Sequence, residues 1–316
     1  MAATTKVTII IPNYNGRNHL EGLLPSIADQ TFDDYEVIVI DDCSPERSAV
    51  DYIRSFVTGR ANFRLVENNQ NLGFVGNCNK GFRMARGDYV CILTNDTTVK
   101  PNFIKRNVEI MDADGSIGVL SCVIVDQAGN NWFSGGLYRN GIRTNLQDDF
   151  HGVRGVDWVA GTACFYRRDL LSKVGLLDET LVMYNEDIDF CLRASRQTTY
   201  NVSMFSDKLV THYLLRHQPL RLGLAKLARL QYYSQRNSIL LAKRYYPRQV
   251  PNVAVRGLDE IVAWPTRVMS ARNYRQLLLS WYVASAIMLG TLAGLFNHSR
   301  FRGAPGGRNG ASSNPE

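Results

Sequence analysis

Polar residues gather where short apolar runs stop. Val7–Ile11 gives way to Pro12-Asn13-Tyr14-Asn15-Gly16, Val37–Ile40 to Asp41-Asp42, and Tyr89–Leu93 to Thr94-Asn95-Asp96. A loop rich in Asn and Gly, from Asn68 to Asn77, follows the run Phe63–Glu67. Asn, Asp and Gly populate turns in any case, so one such cluster is ordinary. Several on one rim point to a ligand, because open α/β sheets bind theirs outside the carboxyl ends of the strands. Asp96 can hold a divalent cation, which takes hard oxygen ligands and can neutralise a diphosphate. Asp41 or Asp42 can accept hydrogen bonds from a nucleobase N–H or from ribose hydroxyls. The chain has no G-x-x-x-x-G-K-[ST] loop. Nor does G-x-G-x-x-G follow the first run, which argues against a dinucleotide cofactor.

The elements that must carry these clusters alternate. Val7–Ile11 is β-branched with no polar break, as a strand buried on both faces requires. Asn18–Ala28 puts Leu20, Leu23, Leu24 and Ile27 on one helical face. Val37–Ile40, Phe63–Glu67, Tyr89–Leu93 and Val119–Val125 read as further strands. Val50–Val57, Asn77–Ala85 and Pro101–Met111 read as helices between them, the last opened by a proline where its missing N–H costs nothing. This alternation predicts βαβ units in a doubly wound, Rossmann-like α/β sheet. Asp126–Asp157 reads as loops and short hairpins, flexible near Thr144–Gly155. Trp158–Tyr166 reads as a strand, Arg168–Val174 and Glu186–Arg196 as helices, and Leu209–Thr211 as a last strand ahead of His212. By residue type alone, Glu186 and Asp187 serve the amino end of their helix, where negative charge is favoured. Arg193 is placed to pair with Asp189 at i,i+4.

Four segments resemble, in order and spacing, those of family 2 glycosyltransferases: VTIIIPNYNG, VIVIDDCS, NLGFVGNCNKGFRMARGDYVCILTNDTTV and WVAGTACFYRRDLLSKVGLLDETLVMYNEDIDFCLR. The likeness covers residues 6–245 and is greatest to the branch with rhamnosyl- and galactofuranosyl-transferases of bacterial surface polysaccharides. The resemblance implies a GT-A fold and an inverting transfer from a nucleotide-diphosphate sugar to a glycan or lipid-linked glycan acceptor, with Mg²⁺ or Mn²⁺. By position it implies that Asp41 meets the nucleobase or ribose. It places Pro12, Asn13, Asn15, Asp42, Asn71, Gly73, Asn79 and Asn95 around the nucleotide sugar. Asp96 matches the last acid of the metal motif D-x-D, whose first acid is here Thr94. His212 falls where some relatives complete the metal site, and a neutral imidazole can offset the missing acid. Glu186-Asp187 matches the family's Glu-Asp pair. An inverting transfer needs one base to deprotonate the acceptor hydroxyl; the resemblance favours Asp187, with Glu186 as the alternative. Trp158 and Gly161 match the acceptor side, Trp158 either stacking on a sugar or buried in the core. Two other readings stand beside this one. Thr94 suits a non-catalytic, glycosyltransferase-like binding module. A nucleotidyltransferase making the donor usually needs a basic glycine-rich loop, which NYNGRNHL fits poorly.

Charge divides the chain. Residues 1–200 hold 20 Lys+Arg against 25 Asp+Glu, whereas residues 201–316 hold 16 against 4, a net of −5 beside a net of +12. A basic tail implies an anionic partner. In Leu220–Tyr246 the bases alternate with long aliphatic runs, the composition of an interfacial helix, which favours lipid over nucleic acid. Leu277–Phe296 carries no formal charge over twenty residues, the length of a transmembrane helix. The expected organisation is a GT-A domain over 1–215, a helical basic region over 216–300 and a disordered tail over 301–316. The basic region would attach to the inner face of the cell membrane as a peripheral surface element, span it once, or pack against itself in a homo-oligomer. Six cysteines without a C-x-x-C pair read as reduced core thiols of a cytoplasmic protein. The short apolar run after Lys6, broken at once by Pro12, is not a secretory signal.

Overall fold

The computed structural model describes residues 5–213, 224–256 and 274–296. The tail over 301–316 lies outside the described residues.

Strand β1 (Val7–Asn13) pairs in parallel with β2 (Tyr35–Asp41) on one side and β4 (Tyr89–Leu93) on the other, and β3 (Phe63–Glu67) continues beyond β2. Every residue of β1 and β4 is buried, which is why both read as unbroken apolar runs. Helices α1 (Arg17–Ala28), α2 (Arg47–Val57) and α3 (Gly73–Met84) return the chain between these strands. Helix α1 buries the four residues its periodicity singles out, Leu20, Leu23, Leu24 and Ile27.

Past β4 the sheet is mixed rather than plainly doubly wound. After β5 (Thr97–Val99) and α4 (Phe103–Ala113), the chain adds β6 (Ile117–Val125) and β7 (Asn131–Phe133). A separate hairpin follows, β8 (Gly135–Arg139) and β9 (Ile142–Leu146), and then β10 (Val153–Gly155). Strand β11 (Ala163–Arg167) runs antiparallel between β4 and β6. Helices α5 (Arg168–Val174) and α6 (Glu186–Gln197) lead to β12 (Asn201–His212), which lies parallel to β6 and also pairs with β5 and β10.

Element bounds shift: α2 begins at Arg47 instead of Val50, α4 at Phe103 beyond Pro101, and β12 at Asn201 well ahead of Leu209. Three further local expectations change. The strand expected from Trp158 begins only at Ala163. Thr144–Gly155 contains the end of β9 and all of β10, and Arg154 clamps it to Asp148 at 2.7 Å. Helix α3 starts four residues earlier than expected because its cap comes from far away in sequence. The Asp42 carboxylate accepts from the N–H groups of Leu72 (2.7 Å) and Gly73 (2.9 Å), and Gly73 takes a left-handed φ of 73°.

In the C-terminal region, α7 (Leu224–Tyr245) joins the main core through Leu240 and Leu241. Helix α8 (Tyr274–Phe296) packs along it, with Gly290 and Gly294 at the crossing. A Cβ at Gly290 would stand 2.5 Å from the Tyr232 carbonyl oxygen, and one at Gly294 2.9 Å from that of Arg236. The membrane span weighed for Leu277–Phe296 is not found: among the described residues, no helix is long and apolar enough to cross a membrane. The glycines that dilute its hydropathy are the ones that let it approach the α7 backbone.

Candidate active site

The carboxyl ends of β1, β2 and β4 meet in one hydrogen-bonded network. Asn13 lies in register with Asp41 and donates to its Oδ1 at 2.9 Å. Asn13 in turn accepts from Asn95 Nδ2 at 2.9 Å. Ser44 donates to Asp41 through its N–H (2.9 Å) and its hydroxyl (2.6 Å), and the Asn15 N–H reaches Ser44 Oγ at 2.9 Å. Gly16 makes this closeness possible, since a Cβ there would fall 2.1 Å from Asn95 Nδ2 and 2.4 Å from Asn13 Oδ1. Pro12 is buried one residue before Asn13. A carboxylate offers about four acceptor positions. The network occupies three on Asp41, leaving room on Oδ2 for one donor from a ligand.

Asp42 has a different task. It accepts from Asn68 Nδ2 (2.9 Å) as well as from Leu72 and Gly73, and Asn71 donates back to its carbonyl at 3.2 Å. The carboxylate thus folds the loop that carries Asn71 and Gly73. Asn79 is spent on the fold: its Nδ2 donates to the Leu177 carbonyl (3.0 Å) and Glu179 Oε1 (2.9 Å), and its Oδ1 accepts from the Leu177 N–H (3.0 Å).

Asp96 and His212 come together because β5 pairs with the end of β12, Thr97 opposite His212. The imidazole Nε2 lies 3.2 Å from Asp96 Oδ2, and the Thr94 hydroxyl donates to Asp96 Oδ1 at 2.7 Å. Burial opposes ionisation of Asp96, but the bonds from His212 and Thr94 outweigh it and hold its pKa below the ordinary value. Thr94 therefore supports the remaining acid instead of merely lacking one. Trp132, to which the sequence offered no pointer beyond being an aromatic in a polar loop, meets the His212 ring edge-on at 4.4 Å. No group of three His, Cys, Asp or Glu suited to a metal occurs among the described residues. Two donors suit a cation that keeps waters and substrate phosphates in its shell, as Mg²⁺ does.

Glu186 and Asp187 open α6, next to an unusual turn. Val182, Tyr184 and Asn185 all have left-handed φ angles, 61°, 66° and 67°. A β-branched residue there is a genuine outlier. Asp187 is held by backbone donors, the N–H of Gly161 at 3.1 Å and of Ile188 at 2.8 Å. Glu186 is buried and its Oε2 has no hydrogen-bond partner. Burial, then the neighbouring Asp187, pushes the Glu186 carboxyl up to about 8. Burial raises Asp187 as well, against its two backbone bonds and Arg143. Two backbone donors hold Asp187 whereas Glu186 Oε2 has none, so the first negative charge settles on Asp187.

Glu186 should also mark the pH dependence of stability. Its folded value lies above the unfolded one. Its contribution is complete where both states are protonated and is lost as pH rises toward about 8. The melting temperature of Glu186→Gln, relative to the unmodified chain, should therefore climb between about pH 5 and about pH 9. A flat or falling difference in thermal melts would contradict this.

The two halves of the site are joined by a short path. The Thr94 N–H donates to the Thr162 carbonyl at 2.9 Å, and the adjoining Gly161 N–H holds Asp187. Trp158 is not free to stack on a sugar: it is 5% exposed, packs on Phe133 at 4.9 Å and lies against Gly136. Asp189 forms the pair with Arg193 that the i,i+4 spacing predicts. It is fully buried and binds Arg193 (2.9 Å), Tyr245 (2.7 Å) and Arg244. A cleft of about 580 Å³ at the opposite end of the strands holds none of these residues, and Lys6 there is paired with Asp112 at 2.9 Å.

A mixed sheet of this order, with amides and acids on its carboxyl rim, defines a GT-A-like fold. Solved structures agree. Staphylococcus aureus TarS 1-349 in complex with UDP-GlcNAc superposes with a TM-score of 0.56 at 19% identity, covering 92% of this chain and 91% of that one. The mannosyltransferase PcManGT from Pyrobaculum calidifontis, in complex with GDP-Man and Mn²⁺, gives 0.57 at 16% identity over 94% and 89%. The family model described as Glycosyl transferase family 2 matches residues 8–175, more than half of the 316 residues, and the chain belongs to that family. An uncharacterized glycosyltransferase of Haemophilus influenzae is 25% identical over 207 residues, 64% of this chain and 66% of that protein. The succinoglycan biosynthesis protein ExoO of Rhizobium meliloti is 31% identical over 110 residues, 35% of this chain and 31% of its own length. The chain thus matches less than two thirds of the length of these relatives. The family match ends before Glu186-Asp187 and His212.

Proposed function

We propose that the protein transfers a sugar from a nucleotide-diphosphate donor to an acceptor hydroxyl with inversion at the anomeric carbon. The observation that carries this is the link from Asp96 and His212 through Thr94, Thr162 and Gly161 to a base-competent Asp187. Asp41, Asn13, Asn15, Asn95 and the loop shaped by Asp42 receive the nucleotide. Asp96 and His212 would hold Mg²⁺ or Mn²⁺, which when bound supplies positive charge to the diphosphate leaving group. Asp187 takes the proton of the acceptor hydroxyl. The freed oxygen pair forms the new bond to the anomeric carbon while the bond to the diphosphate oxygen breaks and leaves with its electrons. Glu186, kept neutral below about pH 8, leaves the single charge of the pair on its neighbour. A cell-envelope glycan or lipid-linked glycan is the acceptor class. A relative named for succinoglycan biosynthesis supports it, and a rhamnosyl or galactofuranosyl donor fits the branch that the motifs resemble.

A panel of UDP-, GDP- and dTDP-sugars, with membrane lipid extract as acceptor, tests this through nucleoside diphosphate release. Release should need Mg²⁺ or Mn²⁺, and Asp96→Ala should weaken donor binding in metal but change little in a chelator. Donor binding that ignores metal in the unmodified protein would count against the metal site. No release from any donor would favour a non-catalytic binding module.

The C-terminal helices support peripheral attachment to the inner face of the membrane. Met288, Leu289, Leu292 and Phe296 lie exposed on α8 in a region of net charge +12. Bases near an anionic surface contribute about 1 kcal/mol each, screened by salt, whereas apolar burial is not. The protein should bind phosphatidylserine-containing vesicles, leave them partly in high salt and bind neutral ones only weakly. Absence of vesicle binding together with a dimer in solution would assign that face to self-association.

A further inference from the structure

The turn ahead of the catalytic pair is held from outside the strand–helix core that the family match covers. Helix α7 places Asn237, fully buried, beneath it. The Asn237 amide nitrogen donates to three carbonyls of the turn, those of Leu181 (2.7 Å), Met183 (2.8 Å) and Tyr184 (2.9 Å). Arg236 NH1 donates both to the Thr180 carbonyl (2.9 Å) and to Asn237 Oδ1 (2.9 Å). The guanidinium thereby fixes which way the amide faces, nitrogen toward the turn. Asn185, the last left-handed residue before Glu186, reaches Ser238 Oγ at 3.4 Å.

Three non-glycine residues with left-handed φ angles are strained and persist only where the surroundings impose them. The carbonyls that such a turn points inward also need donors, since burying them unpaired is costly. The Met183 N–H reaches the Leu181 carbonyl from within the turn, and Asn237 supplies the donor to those of Met183 and Tyr184. We propose that Arg236 and Asn237 are positioning residues that hold the strained turn and so set where Asp187 stands. On this view the basic C-terminal helix completes the active site. The inference rests on Asp187 being the base, and it adds the device that aims it.

The test uses the full chain and nucleoside diphosphate release from whichever sugar nucleotide of the panel turns over. Asn237→Asp keeps the shape but turns a carboxylate toward three carbonyls. Arg236→Lys keeps the charge but loses the fork that orients the amide. Each is assayed below its melting temperature. A misplaced catalytic group can cost on the order of 100-fold, so Asn237→Asp should lower kcat by about that much. Arg236→Lys should lower it less, in the same direction, and the donor KM should stay within about twofold for both, because the lost interaction serves the reaction step and not donor binding. The double variant Asn237→Asp/Asp187→Asn should be no slower than Asp187→Asn alone, since both act through one group. Full kcat in folded Arg236→Lys and Asn237→Asp, or losses that simply add in the double variant, would overturn the proposal. An active Asp187→Asn would instead overturn the base assignment itself.

Discussion

Asp187→Asn should lose sugar transfer by a factor on the order of 10²–10⁴, the usual cost of removing a general base. The change is nearly isosteric. The Gly161 and Ile188 N–H groups that hold Asp187 Oδ2 and Oδ1 would meet an amide in place of a carboxylate, so the amide can keep at most one of the two acceptors. The network around Asn13, Asp41 and Asn95 does not include Asp187, so nucleoside diphosphate affinity should hardly change. Rate and affinity must be read on the same preparation. Loss of rate with unchanged affinity supports the assignment. Retained activity in Asp187→Asn beside an inactive Glu186→Gln would move the role to Glu186.

Asp189→Ala should be the most destabilising single change near the site. The carboxylate is fully buried, and the change removes the partner of Arg193 and one partner each of Arg244 and Tyr245. Breaking a buried ion pair from one side costs about 3–5 kcal/mol, because the remaining charge stays desolvated. Arg193 also donates to the carbonyls of Val174 and Leu176 (2.8 Å to Leu176), and Arg244 also binds Asp178 at 2.7 Å, which puts the expectation at the lower end of that range. Urea unfolding at neutral pH measures it. A loss below about 1 kcal/mol, the scale of an exposed pair, would show that the cluster is not desolvated as described.

The sequence made the donor half of the fold legible because its strands are buried on both faces. Runs such as Val7–Ile11 and Tyr89–Leu93 leave only one reading, and the polar residues that end them fall on one rim. What it hid depends on partners distant in the chain. The early start of α3 follows from Asp42, thirty residues upstream of Leu72. The antiparallel insertion of β11 is a matter of pairing, which periodicity does not encode. Trp158 could be read as either stacking or core, and only its contact with Gly136 and Phe133 decides for the core. The spacing foretold the pair of Asp189 with Arg193, but the bonds of Asp189 to Arg244 and Tyr245, and the role of Asn237, stay hidden until α7 is laid across α6. Thr94 looked like a missing metal acid, and the structure shows it donating to Asp96.

The most direct measurement is the anomeric configuration of the product, read by proton NMR from the donor that the panel selects. A single displacement assisted by one base, Asp187, inverts the centre, so a donor with an α-linked diphosphate must give a β-linked product. Clean inversion that disappears in Asp187→Asn is the expected result. A product that keeps the donor's configuration would contradict the account, because a single attack from the face opposite the diphosphate, by a hydroxyl that Asp187 deprotonates, cannot retain it.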